Sequence, residues 1–233
     1  MAAVEDTHWW FIARRRFIEI FLGAPLRKKS RLADIGAGTG GTSAWLGRYG
    51  HLTAVEPSPV GRAFLKKRDI PTQKGTATAT GLPSNRFDLV TILDVLYHRG
   101  VSDDVEALKE VRRLLKPGGK LLVTDCAFEW LAGKHHSAVH GARRYTLPQI
   151  VGKIKKAGFV IDRASYTFAL VLPFVFLQRM AESIKADSSA SQVHAASPFS
   201  MFFTILCAIE ARMIRYINLP VGSSVIVRAH KPK

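Results

Sequence analysis

The sequence predicts a doubly wound α/β fold, in which helices cover both faces of a largely parallel sheet. Three observations support this prediction. Short apolar runs alternate with helical patterns from Ser30 onward, a glycine-rich turn joins the first run to the first helical pattern, and helix breakers separate later elements. Such alternation is typical of βαβ units. With 233 residues, the chain suits one such domain with an elaboration and is short for two.

The predicted elements follow one another along the chain. Strand-like runs are "RLADIG", "LTAVEP", "FDLVTILDV" and "GKLLVTDC", and helical patterns are "TSAWLGRYG", "SPVGRAFLKKRD" and "VEALKEVRRLL". The breaker "KPGG" at Lys116–Gly119 predicts the end of a helix before a strand at Lys120–Thr124. A helix over "LPQIVGKIKKAGF" then precedes a strand at Phe159–Thr167, and the last strand is predicted at Ser223–Lys231.

The last two predicted strands are separated by about 55 residues, which a simple doubly wound domain does not need. Helical patterns near Phe168–Lys185 and Phe199–Ile217 flank the polar linker "ADSSASQVHAASP". Its Ser/Ala composition is typical of a flexible loop. We therefore predict an N-terminal lid helix in residues 1–29, a core in 30–167 and 221–233, and a two-helix cap in 168–220.

The composition is that of a globular protein with a strong positive charge. The net charge of +16 favours anionic partners, which include phosphate-bearing metabolites, an anionic membrane face and nucleic acid. The isolated Cys126 and Cys207 support neither a disulfide framework nor a CxxC metal site, which fits the cytoplasm. "MAAVED" lacks the order of a secretory signal. No apolar stretch reaches the 18 or more residues expected of a spanning helix.

The segment "THWWFIARRRFIEIFL" predicts an amphipathic helix. At 100° per residue, one arc of about 120° contains no charge. Its members are Trp9, Trp10, Ala13, Phe17, Ile20 and Phe21. The residues outside the arc include Arg14, Arg15, Arg16 and Glu19. Such a helix fits a membrane interface, with its arginines toward lipid phosphates, and it equally fits packing on the domain.

The stretch "LADIGAGTGGTS" predicts a ligand-binding turn between a strand and a helix. It holds four glycines, Gly36, Gly38, Gly40 and Gly41. Glycines let the backbone turn tightly and approach a ligand closely. Asp34 precedes the turn, where a carboxylate can receive an ammonium group, and Glu56 is placed to accept two ribose hydroxyls. Because NAD enzymes share these features, the turn alone predicts only nucleoside binding.

Further segments distinguish between the possible nucleosides. The loop "DIGAGTG", Glu56, "FDLVTILDVLYH" at Phe87–His98 and "RRLLKPGG" at Arg112–Gly119 together resemble class I S-adenosylmethionine-dependent methyltransferases of the small-molecule branch. "HWWFIARRR" resembles the N-terminal segment of a subset whose first helix folds over the cofactor. The resemblance implies a Rossmann-like seven-stranded sheet with its last strand antiparallel. S-adenosylmethionine would lie across the C-terminal edge of the strands.

The resemblance also assigns cofactor contacts. It implies that Asp34 and the first three loop glycines, Gly36, Gly38 and Gly40, hold the methionine portion, and that Glu56 holds the ribose. Thr76, where the family often has an acid, and Ala77 would border the adenine, whose amino group would then meet backbone carbonyls. Asp94 would form a wall of the site, although a strand-end cap is the alternative for that residue.

The lid helix would close this site. We expect Trp10 and Phe11 to cover the cofactor. We further expect Arg15 or Arg14 to reach the cofactor carboxylate or an anionic acceptor, because a guanidinium pairs well with carboxylates.

Methylation of a hydroxyl requires removal of its proton, which makes histidines near the sheet edge candidates. His98 is expected at the end of the fourth strand as a general base or substrate contact. In "KHHSAVHGARRYT", His140, Arg143 and Tyr145 are expected to meet an anionic or hydroxylated acceptor. His136 and His140 have the spacing of metal ligands but no acidic partner nearby, so no metal is expected.

We therefore expect an S-adenosylmethionine-dependent methyltransferase that acts, at oxygen, on a small-molecule or lipid-linked acceptor. It is expected in the cytoplasm, with peripheral contact at the inner membrane face as an option. The basic runs "RKKSR", "KKR" and "KIKK" keep an RNA methyltransferase as an alternative, although no RNA-binding module accompanies them. A non-catalytic membrane-associated or binding protein of the same fold also stays open, as does an NAD enzyme.

Overall fold

Seven strands form one sheet within residues 5–23, 26–131, 141–184 and 199–233, the parts of the chain that this computed structural model describes. The strands are β1 (Arg31–Ile35), β2 (His51–Val55), β3 (Thr72–Gln73), β4 (Phe87–Leu93), β5 (Leu115–Cys126), β6 (Val160–Thr167) and β7 (Ser224–His230). The described helices are α1 (Trp9–Leu22), α2 (Gly41–Leu46), α3 (Pro59–Lys67), α4 (Asp104–Leu114), α5 (Leu147–Lys156), α6 (Leu172–Ile184) and α7 (Phe199–Met213). Short 3-10 turns occur at Gly47–Tyr49 and Glu129–Leu131.

The strand order places the C-terminal ends of five strands at one edge. The order is β3-β2-β1-β4-β5-β7-β6, in which β1 to β5 are parallel and β7 runs antiparallel to both neighbours. The predicted fold, with its antiparallel last strand, is therefore confirmed. The order reverses between β1 and β4, and open α/β sheets bind ligands at such a reversal.

Helix α1 packs against the sheet and the cap rather than standing apart from the domain. Ala13, Phe17 and Phe21 are buried in one cluster with Leu32 of β1 and Leu122 of β5. Full burial of a phenylalanine side chain contributes about 1.5–3 kcal/mol, so these contacts hold the helix firmly. The membrane interpretation of this apolar arc is wrong, because the domain itself covers it.

Helices α6 and α7 form the predicted cap between β6 and β7. Cys207 and Ala211 bury the inner face of α7 in the same cluster as Phe17, and Ile214, directly after the helix, joins them. The linker predicted between the two helices lies outside the described residues. Within the described residues, no helix is long and apolar enough to span a membrane.

The boundaries of β4 and β5 differ from the prediction. Strand β5 begins at Leu115, not Lys120, because "KPGG" stays within the strand and a register shift against β4 accommodates it. Gly118 takes a left-handed φ of 74° in this stretch. Strand β4 ends at Leu93, so His98 lies in the turn beyond it and not at the strand end.

Candidate functional site

The glycine turn after β1 has the backbone that a ligand cradle requires. Gly36, Gly38 and Gly40 have left-handed φ values of 72°, 57° and 83°. A Cβ on Gly36 would lie 2.5 Å from Val95 Cγ2, whereas a Cβ on Gly38 would meet no atom within 4 Å. The backbone at Gly38 therefore borders open space, which a bound molecule can enter.

Asp34 lies beneath this turn and is buried. One carboxylate oxygen accepts from the Ser43 hydroxyl at 2.5 Å, and the other accepts from the Thr91 hydroxyl at 2.7 Å. Burial raises the pKa of Asp34, whereas these two hydrogen bonds act in the opposite direction. The carboxylate thus ties β1 to α2 and β4 from below the turn.

Glu56 follows the C-terminal end of β2 and contacts the glycine turn directly. Its Oε2 accepts from the Gly38 amide at 2.8 Å, and its Oε1 accepts from the Ser58 amide at 2.9 Å. The start of α3 crowds this carboxylate, because a Cβ on Gly61 would lie 2.7 Å from Glu56 Cγ. Glu56 is therefore fixed beside Gly38, where a ribose ligand is expected from the sequence.

The predicted adenine side of the site lies in the loop after β3. Ala77 is buried, while Thr76 is exposed and its hydroxyl oxygen accepts from the Ala79 amide at 3.1 Å. The Thr76 amide donates to the Ala79 carbonyl at 3.0 Å. These contacts form a tight local turn, and the assignment to adenine stays a prediction.

A cleft lies between α1 and the C-terminal ends of β4 and β5. It opens to solvent, and its empty space, including that opening, is about 240 Å³. Its lining combines one ion pair, three hydroxyls and apolar side chains: Trp10, Arg14, Phe17, Asp94, Thr124, Thr167, Phe168, Ser224 and Ile226. Trp10 stacks on Phe168 with ring centroids 5.9 Å apart. The lid helix therefore forms the roof of this cleft.

An ion pair crosses the cleft from the lid to the sheet. Arg14 Nη1 lies 2.6 Å from Asp94 Oδ2, and the two side chains are only 13% and 16% exposed. Asp94 has a left-handed φ of 57° directly after β4, and its Oδ1 accepts from the Thr124 hydroxyl at 3.2 Å. The Trp10 ring covers the Arg14 guanidinium at 5.1 Å. Buried Arg14 Nε has no protein partner among the described residues.

Arg15 points in a different direction from Arg14. Its guanidinium donates to the Glu5 carbonyl and lies 3.5 Å from Asp6 Oδ1. The Glu5 side chain covers the glycine turn, where its carboxylate accepts from the Thr39 hydroxyl. Arg15 therefore fixes the segment that precedes α1, and its assignment to the cofactor carboxylate stays a prediction.

Of the three predicted catalytic residues, the two that the structure describes, His98 and Tyr145, do not line the cleft. His98 is partly buried, and its ring stacks on Tyr97 at 4.3 Å. Tyr145 is buried, and its hydroxyl donates to the Leu96 carbonyl at 3.1 Å. Burial raises the pKa of Tyr145, which disfavours its ionisation. His140, like His136, lies outside the described residues.

Some cleft residues, such as Thr124 and Thr167, were not singled out by the sequence pattern, and Arg14 was named only as an alternative to Arg15. Arg14 is four residues after Trp10 and three before Phe17. In a helix, this spacing makes the three side chains neighbours on one face. That spacing was a usable signal for choosing Arg14 over Arg15. Thr124 and Thr167 stand near strand ends, where polar side chains are common and carry little information. No group of described residues has the composition of a metal site.

Comparison with known proteins identifies the domain around this site. Residues 33–123 match a family model described as a methyltransferase domain. The matched segment begins in β1, includes the glycine turn, Glu56 and Asp94, and ends in β5. The chain carries a class I methyltransferase domain. The predicted resemblance to S-adenosylmethionine-dependent methyltransferases is thereby confirmed, whereas "HWWFIARRR" lies outside the matched segment and its assignment stays a prediction.

The methyltransferase domain has curated relatives of moderate identity. It is 33% identical over 124 residues to the ubiquinone/menaquinone biosynthesis C-methyltransferase UbiE of Shewanella frigidimarina, covering 48% of this chain and 47% of that protein. The uncharacterized methyltransferase YcgJ of Bacillus subtilis is 32% identical over 110 residues, covering 44% of this chain and 43% of the relative. The chain thus matches less than half the length of these relatives.

Solved structures share the fold over nearly the whole chain. A possible histamine N-methyltransferase from Thermotoga maritima has a TM-score of 0.59 at 24% identity, covering 95% of this chain and 92% of that one. The geranyl diphosphate C-methyltransferase of Streptomyces coelicolor has a TM-score of 0.64 at 13% identity, covering 94% and 76%. At these identities, the likeness of the methyltransferase domain to both structures concerns the fold.

Proposed function

We propose that this protein transfers a methyl group from S-adenosylmethionine to a small-molecule or lipid-linked acceptor in the cytoplasm. The observation that carries the proposal is that Gly38, Glu56 and the Arg14–Asp94 pair converge at one sheet edge. All but Arg14 belong to the segment that matches the methyltransferase family.

The residues present fit this cofactor. Open space in front of Gly38 admits a molecule against the backbone. The Glu56 carboxylate, fixed beside that backbone, suits a pair of ribose hydroxyls. Arg14 Nε is a buried donor without a protein partner among the described residues, and such a donor suits a ligand carboxylate. Arg15 Nε is likewise buried without a protein partner among the described residues, but Arg14 lines the cleft whereas Arg15 turns toward Glu5 and Asp6. Arg14 is therefore the arginine that we propose for the cofactor carboxylate or an anionic acceptor.

The chain's own part in the reaction is to position and enclose the reactants. S-adenosylmethionine, when bound, supplies a methyl group activated by a sulfonium. Trp10 and Phe17 of α1 line the cleft on the side opposite Asp94 and Thr124, and they would exclude water from the transfer.

We propose oxygen as the methylated atom, and its proton needs an acceptor within the site. Asp94 is the carboxylate that lines the cleft, and His98 stands beyond the same strand. Thr124, Thr167 and Ser224 offer hydroxyls to a polar acceptor group, while the aromatic walls suit an apolar or planar body. Carbon is the second candidate atom, which the C-methyltransferase name of the UbiE relative favours.

The test supplies the purified protein with methyl-labelled S-adenosylmethionine and a cell extract. Label is then followed into lipid, small-molecule and RNA fractions. We expect label in the lipid or small-molecule fraction, and stability of the product linkage distinguishes oxygen from carbon. Label confined to RNA would contradict the proposed acceptor class.

Cofactor identity is tested separately by calorimetry. We expect S-adenosylhomocysteine to bind and NAD to give no heat. Glu56→Gln is expected to weaken S-adenosylhomocysteine binding about tenfold, because the amide keeps only one acceptor oxygen. Glu106→Gln, at an exposed side chain of α4, makes the same chemical change outside the site, and this variant is expected to bind normally. Binding of NAD alone would refute the cofactor assignment.

A further inference from the structure

The outer faces of the two cap helices expose an unusual number of large apolar side chains. On α7 these are Met201, Phe202, Ile205, Ile209 and Met213, and on α6 they are Phe174, Phe176, Leu177 and Met180. At 100° per residue, the α7 members share one arc of about 120°. The opposite face of α7, with Cys207 and Ala211, is buried against the core. The exposed stripe is therefore additional to the face that the fold requires.

Aromatic contacts join these side chains into one surface. Phe174 of α6 meets Phe202 of α7 edge-on, with ring centroids 5.4 Å apart. Phe176 meets Trp130, in the 3-10 turn after β5, at 5.8 Å. Trp130 is itself 55% exposed. We call the exposed apolar side chains of α6 and α7, together with Trp130, the cap patch. Large exposed apolar patches mark interaction sites.

Positive charge adjoins one end of the cap patch. Arg212 lies in the last turn of α7, on the same arc as Ile205, and exposed Arg215 follows the helix. Arg16 of α1 is exposed and close enough to α7 to influence Cys207 electrostatically. The acid of α7, Glu210, is buried on the opposite face. An apolar stripe ending in arginines matches the pattern of a helix that lies in a membrane interface.

We infer that the cap patch docks on an anionic lipid surface, with the outer faces of α6 and α7 lying in the interface. Its apolar side chains would enter the acyl boundary, and Arg212 and Arg215 would meet lipid phosphates. A second copy of the chain is a poorer occupant, because each copy carries a net charge of +16 and would repel the other. This contact is mediated by the cap, not by the buried arc of α1.

Vesicle flotation of the whole protein, without cofactor or acceptor, tests this inference independently of the proposed reaction. We expect binding to vesicles that contain phosphatidylglycerol, weak binding to pure phosphatidylcholine, and loss of binding as salt rises. Ile205→Glu is expected to weaken binding more than tenfold. Arg212→Gln is expected to weaken it about fivefold.

Val60→Glu is the matched control, because Val60 is 66% exposed on α3 and Ile205 is 53% exposed. Both substitutions change the net charge equally. A difference in vesicle binding between the two variants therefore reflects a local contact of the substituted residue. Circular dichroism checks that each variant is folded. If Ile205→Glu is unfolded, Met201→Glu takes its place in the experiment. Equal loss of binding in the Ile205 and Val60 variants would overturn the inference, as would a wild type that does not float.

Two further outcomes would assign the cap patch to another partner. A dimer in analytical centrifugation that Ile205→Glu dissociates would show that a second copy covers it. RNA binding that the same substitution abolishes, without any effect on vesicles, would assign the surface to nucleic acid.

Discussion

Replacement of Gly38 by alanine provides a sharp test of the cofactor cradle. Gly38 has a φ of 57°, and its Cβ would project into open space rather than into protein atoms. An alanine in this left-handed conformation costs about 1–2 kcal/mol of folding stability. If the open space receives the cofactor, the new methyl group also obstructs it. We expect at least a tenfold loss of affinity, which corresponds to about 1.4 kcal/mol or more.

Gly118→Ala is the control for this experiment. Gly118 has a φ of 74°, and its Cβ also meets no atom within 4 Å, but it lies at the other end of the sheet, early in β5. Urea unfolding is expected to show similar destabilisation of both variants. Calorimetry with S-adenosylhomocysteine is expected to separate them. Normal affinity in Gly38→Ala, or equal losses in both, would refute the assignment of this space to the cofactor.

Three further predictions concern stability. Arg14→Ala and Asp94→Ala, measured singly and together by urea unfolding, are expected to give a coupling energy of about 2 kcal/mol, because this pair is mostly buried. Phe17→Ala is expected to lower the free energy of unfolding by about 3–4 kcal/mol, since the side chain is almost fully buried under the lid. The Arg113 guanidinium lowers the pKa of Glu110 from 4.5 to about 2. Glu110 therefore stabilises the fold fully above pH 4.5, and the deficit of Glu110→Gln is expected to disappear as the pH falls toward 2.

Each of these predictions has a contrary result. A coupling energy below about 0.5 kcal/mol would show that the Arg14–Asp94 pair behaves like an exposed surface pair. A loss of less than about 1 kcal/mol in Phe17→Ala would mean that α1 is not a firmly packed part of the fold. A stability deficit of Glu110→Gln that stays constant from about pH 7 to about pH 2 would contradict the lowered pKa.

The sheet was predictable because its signals are local. The glycine turn before α2 and the alternating apolar runs each appear within a few residues, and β1, β2 and β4 follow them closely. The start of β5 was misjudged because "KPGG" normally stops an element, whereas here Phe87 pairs with Leu115 across the register shift. That pairing joins distant parts of the chain and leaves no local signal.

The site was less predictable because it depends on how α1 docks. The helical wheel places Arg14 about 40° from Trp10, at the border of the apolar arc, so its burial depends on Asp94 beneath it. Arg15 faces the segment before α1. No sequence pattern predicts the contact of Glu5 with the glycine turn. Tyrosine is a residue type common in active sites, but the Tyr145 hydroxyl donates to the Leu96 carbonyl inside the core.

The buried carboxylate of Glu210 has a consequence for how the cap can vary. Its Oε2 accepts from the Leu170 amide at 3.0 Å, and the amides of Phe168 and Ala169 also point toward it. Glu210 of α7 therefore organises the entry to α6, including Phe168, a wall of the cleft. Deleting α7 alone would leave this entry without its acceptor. The two helices thus depend on each other structurally, so an exchange of the cap by recombination has to transfer both helices, and Phe168 of the cleft wall with them.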